Sequence, residues 1–226
     1  MTGRYRNRVE AGRLLADYLV KYAERLDVIV LALPRGGVPV AYEVAYKLNA
    51  PLEVLFVRKL GVPGHEEYAM GALAGGEVAL INEDVVRQTN VSQDDLERVI
   101  QHEKSRLREL EKACGAIGHP IVVGDKTVIL VDDGLATGAT MKAAVKAVKA
   151  QKPRFIVAAV PVGPNSACEE MEKEADEVVC PLRPDLFFAV GQWYKDFSQT
   201  SDDEVRKLLE RTRSNLQASV PAEPSH

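Results

Sequence analysis

The strongest constraint on this chain is a repeated arrangement: a short apolar run, a sharp break, then apolar residues at helical spacing. Residues 28–33 form the first run, Pro34, Arg35, Gly36 and Gly37 break it, and Val38, Ala41, Val44, Ala45 and Leu48 resume at helical spacing. Residues 127–131 repeat the arrangement with a break over 132–138 and a stripe through Met141, Ala144, Val145 and Val148; residues 155–160 repeat it again, with Ser166 and Glu169 as cap residues of a helix through Cys168 and Met171. Residues 52–57 and 177–180 add two more short runs. Runs this short and this rich in β-branched residues read as strands apolar on both faces, and strands alternating with helices imply a parallel sheet. The expected fold class is therefore α/β, an open and mostly parallel sheet with helices on both faces.

The rest of the chain is organised around that core. Leu15, Tyr18, Leu19, Tyr22, Ala23 and Leu26 predict an amphipathic first helix. Residues 58–76 carry several glycines, a proline and charges, which predicts an irregular excursion rather than a buried element. Ser92 with Asp95 predicts a capped helix through Leu96, Val99, Ile100, Leu107 and Leu110. Ser201 with Glu204 predicts another, through Val205, Leu208, Leu209 and Thr212. Residues 214–226 are rich in Ser, Pro and Ala without periodicity and are expected to be disordered.

Composition narrows the partners. With 226 residues, 46% hydrophobic and 27% charged, the chain can bury one large core. A net charge of -4 without long single-sign runs gives no footprint for nucleic acid or an anionic membrane. Cys114, Cys168 and Cys180 form no CxxC pair, and the odd count suits reduced thiols in a cytoplasmic protein. No apolar run approaches the ~18 residues of a spanning helix, and no secretory h-region follows the polar start.

The most informative segment is the second of the repeats. Val128, Ile129, Leu130 and Val131 run into Asp132, Asp133 and Gly134, then Leu135, Ala136, Thr137, Gly138, Ala139 and Thr140. In open α/β sheets ligands bind in the crevice beyond such strand ends. The small side chains of 136–140 let backbone N–H groups approach an anion at the positive end of the next helix, and two threonine hydroxyls add donors. Asp132 and Asp133 are placed to accept hydrogen bonds from adjacent hydroxyls such as those of a ribose. Each short piece alone also reads as a strand-end turn or a helix cap; the contiguous arrangement is what points to a ribose phosphate. It is neither GxxxxGK[ST] nor GxGxxG.

This segment closely resembles the 5-phosphoribosyl-1-pyrophosphate (PRPP) motif of type I phosphoribosyltransferases, and the resemblance extends over most of the chain. It implies that 136–140 hold the 5-phosphate and that Asp132 and Asp133 hold the ribose hydroxyls. Gly134 and Ala136 stand where the family often has larger or hydroxylated residues, and neither removes a backbone donor. Arg35, Gly36 and Gly37 look like the family's pyrophosphate loop, where glycines expose N–H groups and the arginine adds charge. Arg58 and Lys59, leading into His65, Glu66, Glu67 and Tyr68, are similar to its mobile cover, with Lys59 and Arg58 as catalytic cations for the departing pyrophosphate.

Residues 187–197 resemble the hood of purine-type members, which implies Phe188, then Trp193, as stacking partners of a base and Asp196 as a carboxylate near magnesium. The same aromatics also read as packing of a small subdomain. HExxH is absent, so a magnesium ion carried mainly by pyrophosphate and water fits better than zinc. The implied layout is one domain over 1–213, with a core of about 28–182 and a hood from about 183–200 and the chain ends. The implied activity is phosphoribosyl transfer from PRPP to a nitrogenous base. A PRPP-binding regulator without turnover is the rival reading, and a homodimer is the assembly the resemblance suggests.

Overall fold

Residues 3–75, 78–114 and 121–218 are described by a computed structural model, the side chains of Glu67, Val78 and 213–218 excepted. Five strands, β1 (Val28–Ala32), β2 (Leu52–Val54), β6 (Thr127–Val131), β7 (Phe155–Ala159) and β8 (Glu177–Val179), form one sheet in the order β2-β1-β6-β7-β8, with every pairing parallel. Val28 to Ala32 lie opposite Thr127 to Val131, which lie opposite Phe155 to Ala159. This even register brings the loops after β1, β6 and β7 to one edge of the sheet.

Side chains alternate between the faces of a strand, and both faces here are covered. Val28, Val30, Ala32, Ile129 and Val131 pack with Leu15 and Leu19, with Val40, Val44 and Leu48 of α2 (Gly37–Leu48), and with Val205 and Leu209 of α7 (Asp202–Ala218). Ile29, Leu31, Val128 and Leu130 face the other way, onto Met141, Ala144, Val145 and Val148 of α5 (Ala139–Lys149) and Cys168 and Met171 of α6 (Asn165–Met171). Each fully buried Val, Leu or Ile contributes roughly 1.5–3 kcal/mol, so β1 and β6, buried at every position, anchor both layers.

The first helix, α1 (Arg8–Tyr18), ends earlier than its apolar spacing suggests: a 3₁₀ turn follows at Val20–Tyr22, and Leu26 is fully exposed. Its start is set by Asn7, whose side chain accepts the Glu10 N–H. The Ser201 and Ser92 caps form as expected, each accepting from the N–H three residues on. Helix α6 does not use Ser166 as its cap; Pro164 stands there with no side-chain cap. The last helix runs to Ala218, past the expected start of the tail at 214, and 219–226 lie outside the described residues.

The largest correction concerns 58–76. Instead of an irregular loop the chain forms β3 (Val57–Val62) and β4 (His65–Ala74), which pair with β5 (Val78–Ile81) in a three-stranded antiparallel sheet. The two glycines that look like breaks serve it: Gly64, at φ 79°, lies in the turn between β3 and β4, and Gly61 sits at a register shift where a Cβ would meet the Glu66 carbonyl at 2.6 Å. Leu60, Met70 and Leu73 are buried, and α3 (Glu83–Gln88) and α4 (Gln93–Ala113) follow. The alternation was masked by small residues that pack between sheet and helix rather than standing out as apolar positions.

Candidate active site

The loop after β6 enters α5 without a side-chain cap. Gly138 is the N-cap residue at φ 75°, a conformation that disfavours any side chain. Thr137 Oγ accepts weakly from the Ala139 N–H at 3.4 Å, and Ala136, Thr137 and Thr140 are exposed. Leu135 is buried, and its N–H donates to the Val162 carbonyl, which fixes the loop to the chain beyond β7. The result is a rigid helix N-terminus open to solvent, a place suited to an anion.

Asp132 and Asp133 sit immediately before this loop and differ in environment. The Asp133 N–H donates to Asp132 Oδ1 at 2.8 Å. Burial and the neighbouring Asp133 charge hold the Asp132 carboxyl well above its usual range. Burial also raises Asp133, against the opposing pull of Arg8, whose Nε and Nη2 both lie 2.8 Å from Asp133 Oδ2. Tyr194 donates its hydroxyl to the Asp133 carbonyl at 2.5 Å.

The loop after β1 packs against these carboxylates, and its peptide bond between Pro34 and Arg35 is cis. A Cβ on Gly36 would lie 2.0 Å from Asp133 Oδ2, and one on Gly37 would lie 2.7 Å from the Val131 carbonyl. At Gly37 backbone excludes any side chain, and at Gly36 a side chain would have to displace the Asp133 carboxylate. Arg35 is turned toward α7, with Nε 2.8 Å from Asp202 Oδ1 and Nη2 3.3 Å from Oδ2. The Nε contact is an ion pair rather than an aligned hydrogen bond. Cys114 reaches the same carboxylate at 3.5 Å, and burial with Asp202 pushes its thiol up to about 11.

Strand alternation separates Arg58 from Lys59. Lys59 lines a cavity of about 710 Å³ together with Thr137 and Ala139 of the loop before α5, Lys142 and Lys146 of α5, and Gly71 of β4. Arg58 points to the other face, where Nε donates to Glu103 of α4 at 2.8 Å. The structure thus brings Lys59, and not Arg58, to the loop before α5. His65, Glu66 and Tyr68 are exposed at the start of β4 and none lines the cavity; the Glu67 side chain lies outside the described residues.

The segment 187–197, expected as a hood, forms a 3₁₀ turn at Val190–Trp193 and is tied to the N-terminal arm: the Tyr5 N–H donates to the Trp193 carbonyl, and the Lys195 and Asp196 N–H groups donate to the carbonyls of Tyr5 and Arg6. Val190 leans on Gly134, where a Cβ would meet it at 2.5 Å. Phe188 is 85% exposed, so it is not a core aromatic. Trp193 is half-buried, and its indole N–H has no partner among the described residues. Asp196 is exposed, and the Ser198 N–H lowers its carboxyl pKa. Among the described residues no group of three or more His, Cys, Asp or Glu gathers to hold a metal.

Sequence reasoning missed Arg8, Tyr194 and Asp202, whose partners are 125, 61 and 167 residues away. No local spacing carries such contacts. The one available signal was the pair of unpartnered acids in the 128–140 segment, which calls for a cation without saying where it lies.

A family model described as a phosphoribosyl transferase domain matches residues 5–197. Two proteins of Mycobacterium tuberculosis, from strains CDC 1551 / Oshkosh and H37Rv and each carrying the name "Putative phosphoribosyl transferase", are 46% identical over 213 residues. The match covers 93% of this chain and 47% of theirs, so the chain spans about half the length of the curated relatives it matches. The crystal structure of TT1426 from Thermus thermophilus is 39% identical, with a TM-score of 0.84 over 92% of this chain and 98% of that one. No helix among the described residues is long and apolar enough to cross a membrane.

Proposed function

Because this chain belongs to the phosphoribosyl transferase family, we propose that it transfers the 5-phosphoribosyl group of PRPP to a nitrogenous base and releases pyrophosphate. The observation that carries this reading is the uncapped start of α5 opening on a cavity that Lys59 also lines, beside the acid pair. The N–H groups and hydroxyls of 136–140 bind the 5-phosphate, and Asp132 and Asp133 accept from the ribose hydroxyls. The base nitrogen attacks C1 as the C1–O bond breaks, that bond's electron pair leaves with pyrophosphate, and the proton the nitrogen carried passes to solvent or to the departing pyrophosphate. Catalysis of this kind rests on holding both partners in line and stabilising charge as it develops, with no covalent protein nucleophile. Lys59 is the cation for the leaving group, Gly36 offers an N–H group to it while the Gly37 N–H is held by the Leu33 carbonyl, and Phe188, exposed on the hood, is the stacking surface for the base, with Trp193 as the second candidate.

Magnesium would enter on the pyrophosphate oxygens and supply countercharge to the leaving group. Asp196, exposed and readily ionised, is the carboxylate that would meet it. This chain's own residues orient the ribose and the base.

The test is incubation with PRPP, magnesium and a panel of nucleobases while pyrophosphate release is measured. Release that depends on one base is expected. PRPP at ~100 times its dissociation constant also stabilises the fold by about 2.7 kcal/mol, a Tm rise of roughly 5–10 °C. The second reading, a PRPP-binding regulator, is favoured by one observation: Arg35 is already paired with Asp202. A Tm rise without release from any base would support it, and the absence of both would remove the PRPP assignment.

A further inference from the structure

Arg8 is used by none of the roles above, yet it makes the closest charged contact to the acid pair. Asn7 caps α1, which fixes Arg8 as the first helical residue and aims it across the sheet edge. Its guanidinium is engaged on every side: Nε and Nη2 converge on Asp133 Oδ2 at 2.8 Å, Nη1 donates to the Ser198 carbonyl at 2.7 Å, and the Phe197 ring lies 4.0 Å beneath Cζ. The side chain is 12% exposed, so its contact with Asp133 is largely shielded from solvent. Asp133 is held a second time through its carbonyl, by the hydroxyl of Tyr194. The N-terminal arm, the hood and one of the two carboxylates are thereby joined at a single residue.

We propose that Arg8 is a positioning residue that fixes the Asp133 carboxylate in place, so that the acid pair is complete only when the N-terminal helix is docked against the hood segment. The inference rests on the proposed PRPP function for its consequence in binding, and on the structure alone for the Arg8–Asp133 coupling. A planar guanidinium, unlike an ammonium, can satisfy a carboxylate oxygen, a carbonyl and a ring face together. The two carboxylates therefore differ: Asp133 is held by a cation, while among the described residues the Asp132 carboxylate accepts a hydrogen bond from the Asp133 N–H alone. The titratable groups facing Asp133 are Asp132 on its own loop, Arg8 on α1 and Tyr194 of the hood, with Tyr5 behind Tyr194. Of these Arg8 alone carries a cation, and it lowers the Asp133 pKa against burial. Without it the carboxylate is lost at higher pH.

The test compares wild type, Arg8→Met, Arg8→Lys and Phe197→Leu, the last keeping the cation while removing the ring beneath it. Carboxyl NMR titration of Asp133 in ligand-free protein and PRPP affinity across pH are both recorded. In Arg8→Met the Asp133 midpoint moves to higher pH, the acid limb of PRPP binding moves with it, and affinity at pH 7 falls about tenfold, as for loss of a charge-assisted hydrogen bond. Arg8→Lys recovers part of the shift, and Phe197→Leu gives a smaller one in the same direction, which decides the matter if Arg8→Met does not fold. A merely structural role would lower Tm and leave both midpoints in place; that result overturns the proposal, as does an Asp133 shift without change in PRPP affinity. If wild type binds no PRPP, the function proposed above falls, while the ligand-free titration still reports whether Arg8 governs Asp133.

Discussion

The two loops that the sequence assigns to phosphates have opposite characters. The loop after β6 is open: its helix start is uncapped, its threonines are exposed, and the cavity lies alongside. The loop after β1 is closed: Gly36 and Gly37 are pressed onto the acid pair, and Arg35 is paired with Asp202. A backbone suited to anions can thus be either a vacant receptor or an already occupied joint, and only the partners in space distinguish the two. In this chain the first loop faces solvent, whereas in the second Asp202 already holds the arginine that the proposed function would turn toward pyrophosphate.

Gly36→Ala strikes the closed loop hardest. Its Cβ would lie 2.0 Å from Asp133 Oδ2, so the carboxylate must leave its place and give up Arg8. A cost on the order of 3 kcal/mol is expected, seen as a Tm lower by roughly 6–12 °C and as lost PRPP binding. A normal Tm would show that the joint is loose.

Thr137→Val probes the open loop and should leave the fold alone. The hydroxyl is exposed and has one long contact, so Tm should stay within ~2 °C. PRPP affinity should fall about tenfold or more, as for a hydrogen bond to a charged group, measured by calorimetry.

Asp132→Asn separates stability from binding. The folded-state pKa of Asp132 is raised, so its ionised form costs stability, and the cost appears as pH rises through that pKa. Asparagine keeps the carbonyl acceptor for the Asp133 N–H and removes the charge. At pH 7 the variant should melt about 2–4 °C higher, equivalent to ~1 kcal/mol, while binding PRPP more weakly. The stability difference should vanish below pH ~4, where the unfolded carboxyl is also protonated.

The smallest effect is expected from Asp202→Asn. Its ion pair with Arg35 is about a third exposed on both sides, so it contributes only ~0.2–1 kcal/mol. Release of Arg35 should raise affinity for pyrophosphate or PRPP by about two- to fivefold. An unchanged affinity would mean that Arg35 does not face the ligand, and the closed loop would then be structural throughout.

The parallel sheet was legible because its signal is local: runs such as 127–131 are apolar at every position and stop at glycines or carboxylates. The turn from β6 into α5 was legible for the same reason, since its small residues and the helix start are contiguous in sequence. The three-stranded sheet was not, because glycines at the β3–β4 turn and at a register shift look like breaks when seen without their partner strand. The pairing of Arg35 with Asp202, and of Arg58 with Glu103, was beyond reach for a different reason. A surface cation has many possible partners along a chain, and the choice is made by packing of α7 and α4.

Lys59 belongs to a beam rather than a tether. A residue on a flexible loop can swing toward a ligand by rotating its own backbone, but Lys59 is hydrogen-bonded into β3 opposite Ala72 of β4. Its neighbour Arg58 is bolted to Glu103 on α4. The Lys59 backbone is therefore held by its partner strand, and Arg58 links the same strand to α4. One strand thus joins the cavity that Lys59 lines to a 21-residue helix on its other face.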